Sequence, residues 1–213
     1  MNENENIRIE FFSDAVFAIA ITLLILEIKV PLLHGAEVSR NLGAALLDLY
    51  PSYFGYVFSF LMIGIYWANH HRIFKLYLRG DDVLVLLNIF FLMCVAFLPF
   101  PAAVLAEYLT EPEQQRQTAI TFYTFGLFLP AFAWLLMWLY ASRGHRLVDE
   151  KLDRRFIKRQ TAKFVLTNAL YFSAILLSLW NGAAALALCT GLTLLYLIPS
   201  KNRNTLKAAG ENS

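Results

Sequence analysis

The stretch FFSDAVFAIAITLLIL, residues 11–26, is apolar enough for a membrane helix but carries Ser13 and Asp14 close to its start. An ionisable group there is costly, and an apolar residue would build the same helix. Such groups within a membrane span are rare and usually functional. At about 100° per residue, Phe12, Ala15, Ile19, Thr22, Leu23, Leu26 and Val30 fall on one stripe of the helix. Asp14 lies about 140° round from Ile19, beside Phe17, Ala18, Ile21 and Ile25, so carboxylate and stripe face different surroundings.

The rest of the chain agrees with a membrane setting. Of 213 residues, 58% are hydrophobic and 16% charged, and the mean hydropathy is +0.52. A soluble domain of this length carries far more polar surface. A bilayer core about 30 Å thick takes about 20 apolar residues per helix. Six apolar stretches meet that description, near 11–30, 51–71, 83–106, 118–142, 161–180 and 183–199. The expected fold is therefore all-α, a polytopic membrane protein of six transmembrane helices, with residues 1–200 as the membrane domain and 201–213 as a tail. Pro31 and Pro199 close the first and last spans, and Pro51 sits where a first helical turn accepts proline. Pro99, Pro101 and Pro130 fall inside spans and predict kinks. Between the first two spans, Val38, Leu42, Ala45, Leu46 and Leu49 share one face, the pattern of a short interfacial helix.

Lys and Arg set the orientation. Of the 18, only Lys29, Arg40 and Arg116 fall on one side. The others flank the opposite side, in the N-terminal arm (Arg8), the second-to-third loop (Arg72, Lys75, Arg79), the fourth-to-fifth segment 143–163 and the tail. Both termini are expected in the cytoplasm, in a cell membrane. The start, MNENENIRIE, has no basic n-region, so a cleaved signal peptide is not expected. Positive-inside bias accounts for the basic loop, which also suits anionic lipid or a partner.

Several chemistries find no support. The sequence has no phosphate-binding glycine loop, no His pair spaced for a metal on one helix face and no nucleophile elbow. It has neither a TVGYG-type filter nor a voltage-sensing arginine ladder. Cys94 and Cys189 lie in apolar runs without paired spacing and read as free core thiols. No enzyme, cofactor, bound metal or nucleic-acid partner is expected. Asp14 has candidate partners in Asn69, His70, His71 and Arg72, which the second helix brings to the same depth, and in Arg8. A clamp between helices and direct proton or ion handling both remain open at this point. Glu27, near the outer end beside Lys29, suits a cation-attracting mouth or a solvated interface.

RIEFFSDAVFAIAITLLILEI, residues 8–28, resembles the signature of the transmembrane protein 175 family of potassium channels, in its six-helix prokaryotic form. The pattern is an Arg, three residues, then Phe-Ser-Asp, here Arg8, Phe12, Ser13 and Asp14. The likeness continues through PSYFGYVFSFLMIGIYWANHHRIF and LNIFFLMCVAFLPFPAAVLAEY, covering the first three spans; the last three agree only in length and hydropathy. The resemblance implies a homotetramer in the lipid bilayer whose first helices line a central pore for monovalent cations. It implies a constriction at Ile19, further apolar rings at Leu23 and Leu26, and a selectivity layer at Thr22. It also implies that Arg8, Phe12, Ser13 and Asp14, with Asn69, His70 and His71, hold the pore helix away from the ion path. An aliphatic ring strips water from the ion, which costs sodium more than potassium, so modest selectivity is expected.

The competing reading is a proton-coupled secondary transporter with Asp14 and His70 or His71 as relay. Against it, no inverted repeat or matching Gly-Pro break divides the chain. A membrane enzyme fits less well, because the adjacent His70 and His71 face about 100° apart.

Overall fold

The computed structural model describes residues 3–31 and 41–197. Val38, Arg40, Pro199, Lys201, Arg203 and Lys207 lie outside them. The described chain is helical. α1 spans Glu3–Leu23 and tightens into a 3-10 turn, Leu24–Glu27. α2 (Leu42–Asp48), α3 (Tyr50–Phe74), α4 (Asp82–Phe97), α5 (Pro99–Tyr108), α6 (Glu113–Ser142), α7 (Arg154–Ser178) and α8 (Gly182–Leu197) follow.

Among the described residues, four segments are long and apolar enough to cross a bilayer: Asn6–Glu27, Asp82–Tyr108, Glu113–His145 and Arg154–Ser178. α2 and α3 make a fifth if the pair, bent by 46°, is one span. The sixth apolar stretch forms α8, whose 16 residues reach only about 24 Å against a core of about 30 Å.

The prolines act unequally. In the expected third span the helix assignment lapses only at Leu98, whose backbone stays helical, and α5 begins on Pro99, where a missing N–H leaves no bond unmade. Pro101 then sits within the first turn of α5 and adds no second lapse. Pro130 does not interrupt α6, which runs unbroken from Glu113 to Ser142. Between the first two spans, the face expected to pack is only partly covered. Ala45 is buried, Leu49 half-buried, and Leu42 and Leu46 are exposed.

α6 is the central helix, packed against α4, α5, α7 and α8, whereas α1 packs on α3 and α4 at one side of the bundle. The α5–α6 crossing is close: a Cβ on Gly126 would stand 2.8 Å from the Pro101 ring. At one end of the bundle, Asp81 caps α4 by accepting from the Leu84 N–H at 2.8 Å. Its other oxygen accepts from the Tyr140 hydroxyl at 2.6 Å, joining α4 to the end of α6. The same end carries an antiparallel bridge between Tyr77 and Val148, where the Leu78 N–H donates to the Leu147 carbonyl at 2.9 Å. Asn6 of α1 adds a donor to the Tyr77 carbonyl, also at 2.9 Å. Burial pushes the Tyr77 hydroxyl pKa up by withdrawing its phenolate from water. The N-terminal arm and two of the basic connections therefore meet at one end.

Candidate functional site: the first helix and its anchors

The two faces of α1 differ sharply. Asn6, Ile9, Ser13, Phe17, Ala20 and Leu24 are buried against the bundle. On the far side, Ile19 is 58% exposed, Leu23 49% and Leu26 71%, with Phe12 and Thr22 also exposed. The Thr22 hydroxyl donates back along its own helix, to the carbonyls of Ala18 at 2.9 Å and Ile19 at 3.0 Å. Its proton is thus engaged while the oxygen keeps lone pairs directed off the helix. Glu27 is exposed at the end of the 3-10 turn, beside a small cleft that Leu24, Ser52 and Gly55 also line.

Buried polar groups on the inner face form one chain of hydrogen bonds. The His70 ring Nε2 lies 3.0 Å from Asn88 Oδ1. Because that amide oxygen can only accept, Nε2 carries the proton and donates. Asn88 Nδ2 donates to Ser13 Oγ at 2.9 Å, and the Ser13 hydroxyl donates to the Ile9 carbonyl at 2.7 Å. Three helices, α3, α4 and α1, are linked in sequence. All three side chains are buried, so a missing partner would leave a polar group unsatisfied at about 1–3 kcal/mol. Aromatic rings enclose His70. It stacks on Phe74 with centroids 4.0 Å apart and meets Phe17 edge-on at 5.6 Å. Phe91 and Trp134 lie at 6.0 Å and 5.9 Å.

Asp14 stands outside this chain. It is half-buried at the border between the two faces, and its Oδ1 accepts from Trp67 Nε1 at 2.9 Å. This corrects the partner expected from the sequence. Asn69 instead donates to the Ile65 carbonyl at 2.9 Å and accepts from Arg72. His71 is exposed, stacked on Trp67 with centroids 6.4 Å apart, and 4.0 Å from Glu10. Arg8 is exposed. The residues that the sequence reading missed are Asn88 and Trp67. Asn88 had a signal: one amide amid VLVLLNIFFLMC must find a partner in the bilayer. Trp67 had none, since a tryptophan near a span end is ordinary at a membrane interface.

Residues 8–99, which hold these groups apart from Asn6 and Trp134, match the family model described as endosomal/lysosomal potassium channel TMEM175. A potassium channel of Chamaesiphon minutus is 41% identical over 199 residues, covering 93% of this chain and 96% of that one. The chain belongs to the TMEM175 family. A potassium channel of Streptomyces collinus is also 41% identical, over 91% of each chain. The crystal structure of a lysosomal potassium-selective channel TMEM175 homolog from Chamaesiphon minutus superimposes with a TM-score of 0.82 at 38% identity, covering 92% of this chain and 98% of that one. This TMEM175 chain is therefore a multi-pass membrane protein of a channel family, not of an enzyme family. The likeness extends across α6–α8, where the sequence alone offered only length and hydropathy.

Proposed function

We propose that this TMEM175 chain is a passive, potassium-preferring cation channel assembled from four copies, each with six membrane helices. In this reading α1 lines the central pore and Ile19 forms the narrowest ring, with Leu23 and Leu26 as further apolar rings. Thr22 offers its free lone pairs to a partly dehydrated ion, and Glu27 draws cations to the outer mouth. The basic end of the bundle and both termini face the cytoplasm, with 1–200 as the channel domain and 201–213 as a cytoplasmic tail. Ser13, Asp14 and their partners hold α1 in register, with Arg8, Phe12, Asn69, His70 and His71 around them.

The orientation of α1 carries this reading. Its packed face is the one bearing Ser13 and Phe17, which leaves Ile19, Thr22, Leu23 and Leu26 outward. Apolar side chains alone would suit lipid equally well, because burial between helices gains no hydrophobic energy over burial in acyl chains. Membership of a channel family tips the balance toward a pore. An aliphatic ring without an oxygen cage discriminates through dehydration, so potassium should pass more readily than sodium by a modest margin.

The deciding experiment is potassium-driven flux in liposomes, comparing wild type with Ile19→Asn and Thr22→Ala. Passive flux, a rise in Ile19→Asn and an altered potassium-to-sodium ratio in Thr22→Ala are expected. Flux that requires a proton gradient, or that neither substitution changes, would overturn the pore assignment. It would favour a carrier using Asp14 with His70 or His71. Among the described residues no hydrogen bond joins Asp14 to either histidine, which speaks against such a relay.

A further inference from the structure

On the flank of α3 away from α1, Phe60, Leu61, Gly64, Ile65, Ala68, Asn69 and Arg72 line an open groove of about 240 Å³. Gly64 and Ala68, one turn apart, form its floor, and a Cβ on Gly64 would meet nothing within 4 Å. The groove runs along the helix from Phe60, near its middle, to Arg72, in its last turn. Ile65 and Asn69 also line an inner cavity of about 40 Å³ enclosed by α3, α6, α7 and α8, where Phe164 and Thr167 stand on the α7 side. Lys163, one residue before Phe164, lies within electrostatic reach of Arg72. The groove thus ends at Arg72 in the last turn of α3, with Lys163 of α7 as a second cation within electrostatic reach.

We propose that this groove is a site for one anionic phospholipid, with an acyl chain against Gly64 and Ala68 and its phosphate on Arg72 and Lys163. The shape suits a chain lying parallel to a helix, and the charge sits at one end only, as a headgroup requires. Arg offers a planar fork that meets phosphate oxygens in pairs, and Lys adds a point charge. Both lie at the basic end of the bundle, near the exposed Arg154, Arg155, Lys158 and Arg159. The groove also points away from the α1 side: Ala68 is about 100° round α3 from Trp67, the residue bonded to Asp14. A lipid there and a pore lined by α1 occupy different sides of α3. The inference needs only a chain that spans the bilayer and does not depend on what α1 conducts.

The test uses the intact assembly in nanodiscs of phosphatidylcholine with or without phosphatidylglycerol. Native mass spectrometry reads retained lipid, and thermal unfolding gives a second readout. Phosphatidylglycerol should be retained over phosphatidylcholine by about fivefold for each cation engaged. That preference should vanish in the double variant Arg72→Gln, Lys163→Gln. It should persist in Arg154→Gln, Arg155→Gln, which lowers charge at the same end but outside the groove. Ala68→Phe should lose the bound lipid with every charge in place. Benzoylphenylalanine in place of Ala68 should crosslink to lipid. Equal retention of the two lipids by the wild type would overturn the proposal. So would an unchanged preference in the Arg72/Lys163 variant, or crosslinking to a second copy of the chain.

Discussion

Serine and aspartate differ at positions 13 and 14 because their neighbours differ. Ser13 sits inside the bundle, in a chain of bonds running from His70 through Asn88 to the Ile9 carbonyl. Asp14 lies at the edge, held by one indole. The energetic consequences should differ as well. Asn88→Leu removes the middle of the chain and strands the His70 Nε2–H in a buried, aromatic setting, while Ser13 keeps its bond to the Ile9 carbonyl. A loss of about 1–3 kcal/mol is expected, read as a lower unfolding temperature of the assembled protein. Trp67→Phe removes one bond to a half-buried carboxylate that water can still reach, and should cost about 1 kcal/mol or less. If Trp67→Phe proved the more damaging, Asp14 rather than Ser13 would be the main tie of α1.

Proline and glycine decide how the elements meet. α5 begins at Pro99, and Pro101 then presents its ring to the glycine face of α6. Gly126→Ala would drive a Cβ to 2.8 Å and 3.0 Å from Pro101 atoms, closer than the α5–α6 contact allows. We expect a loss of about 1–3 kcal/mol in thermal stability. Pro101→Ala in the same chain should restore part of it, because the ring carbon in closest contact is then gone. Additive losses in that double-mutant cycle would mean that Gly126 matters for some other reason. Gly126 and Pro101 lie far apart in sequence and neither announces the other, which is why this contact was not legible beforehand. Four of the six expected spans were legible, with a fifth if α2 and α3 count as one, because hydropathy over 20 residues is a local property; the sixth stretch gave only the short α8. The stripe of Ile19, Leu23 and Leu26, whose spacing fixes a helical face, was legible too. Asp14's partner was not. The sequence brings the whole segment 66–72 to one depth, and only the rotation of α3 selects Trp67 over Asn69, His70 or His71.

For the whole molecule, the polar ties lie on one side of α1 and the stripe of Ile19, Leu23 and Leu26 on the other. A single copy leaves that stripe uncovered, whereas four copies around an axis would turn it toward water and ions. The two arrangements differ in whether a hydrophilic reagent can reach it. Cys94 and Cys189 are free and buried, so introduced cysteines should stand out over a quiet background. In reconstituted protein, a charged methanethiosulfonate should block flux through Leu26→Cys, which the proposed pore puts nearest its outer mouth. It should act more slowly on Ile19→Cys, which the proposed pore puts behind two apolar rings. Ile25→Cys is the informative contrast. Ile25 is 51% exposed, as much as the stripe, yet one step of the 3-10 turn sets it about 120° from Leu26, on the side of Asp14. Exposure alone therefore predicts equal reactivity at 25 and 26, whereas a pore axis predicts a block only at 26. Equal labelling, or none, would place α1 against lipid and leave the ion path to another part of the fold.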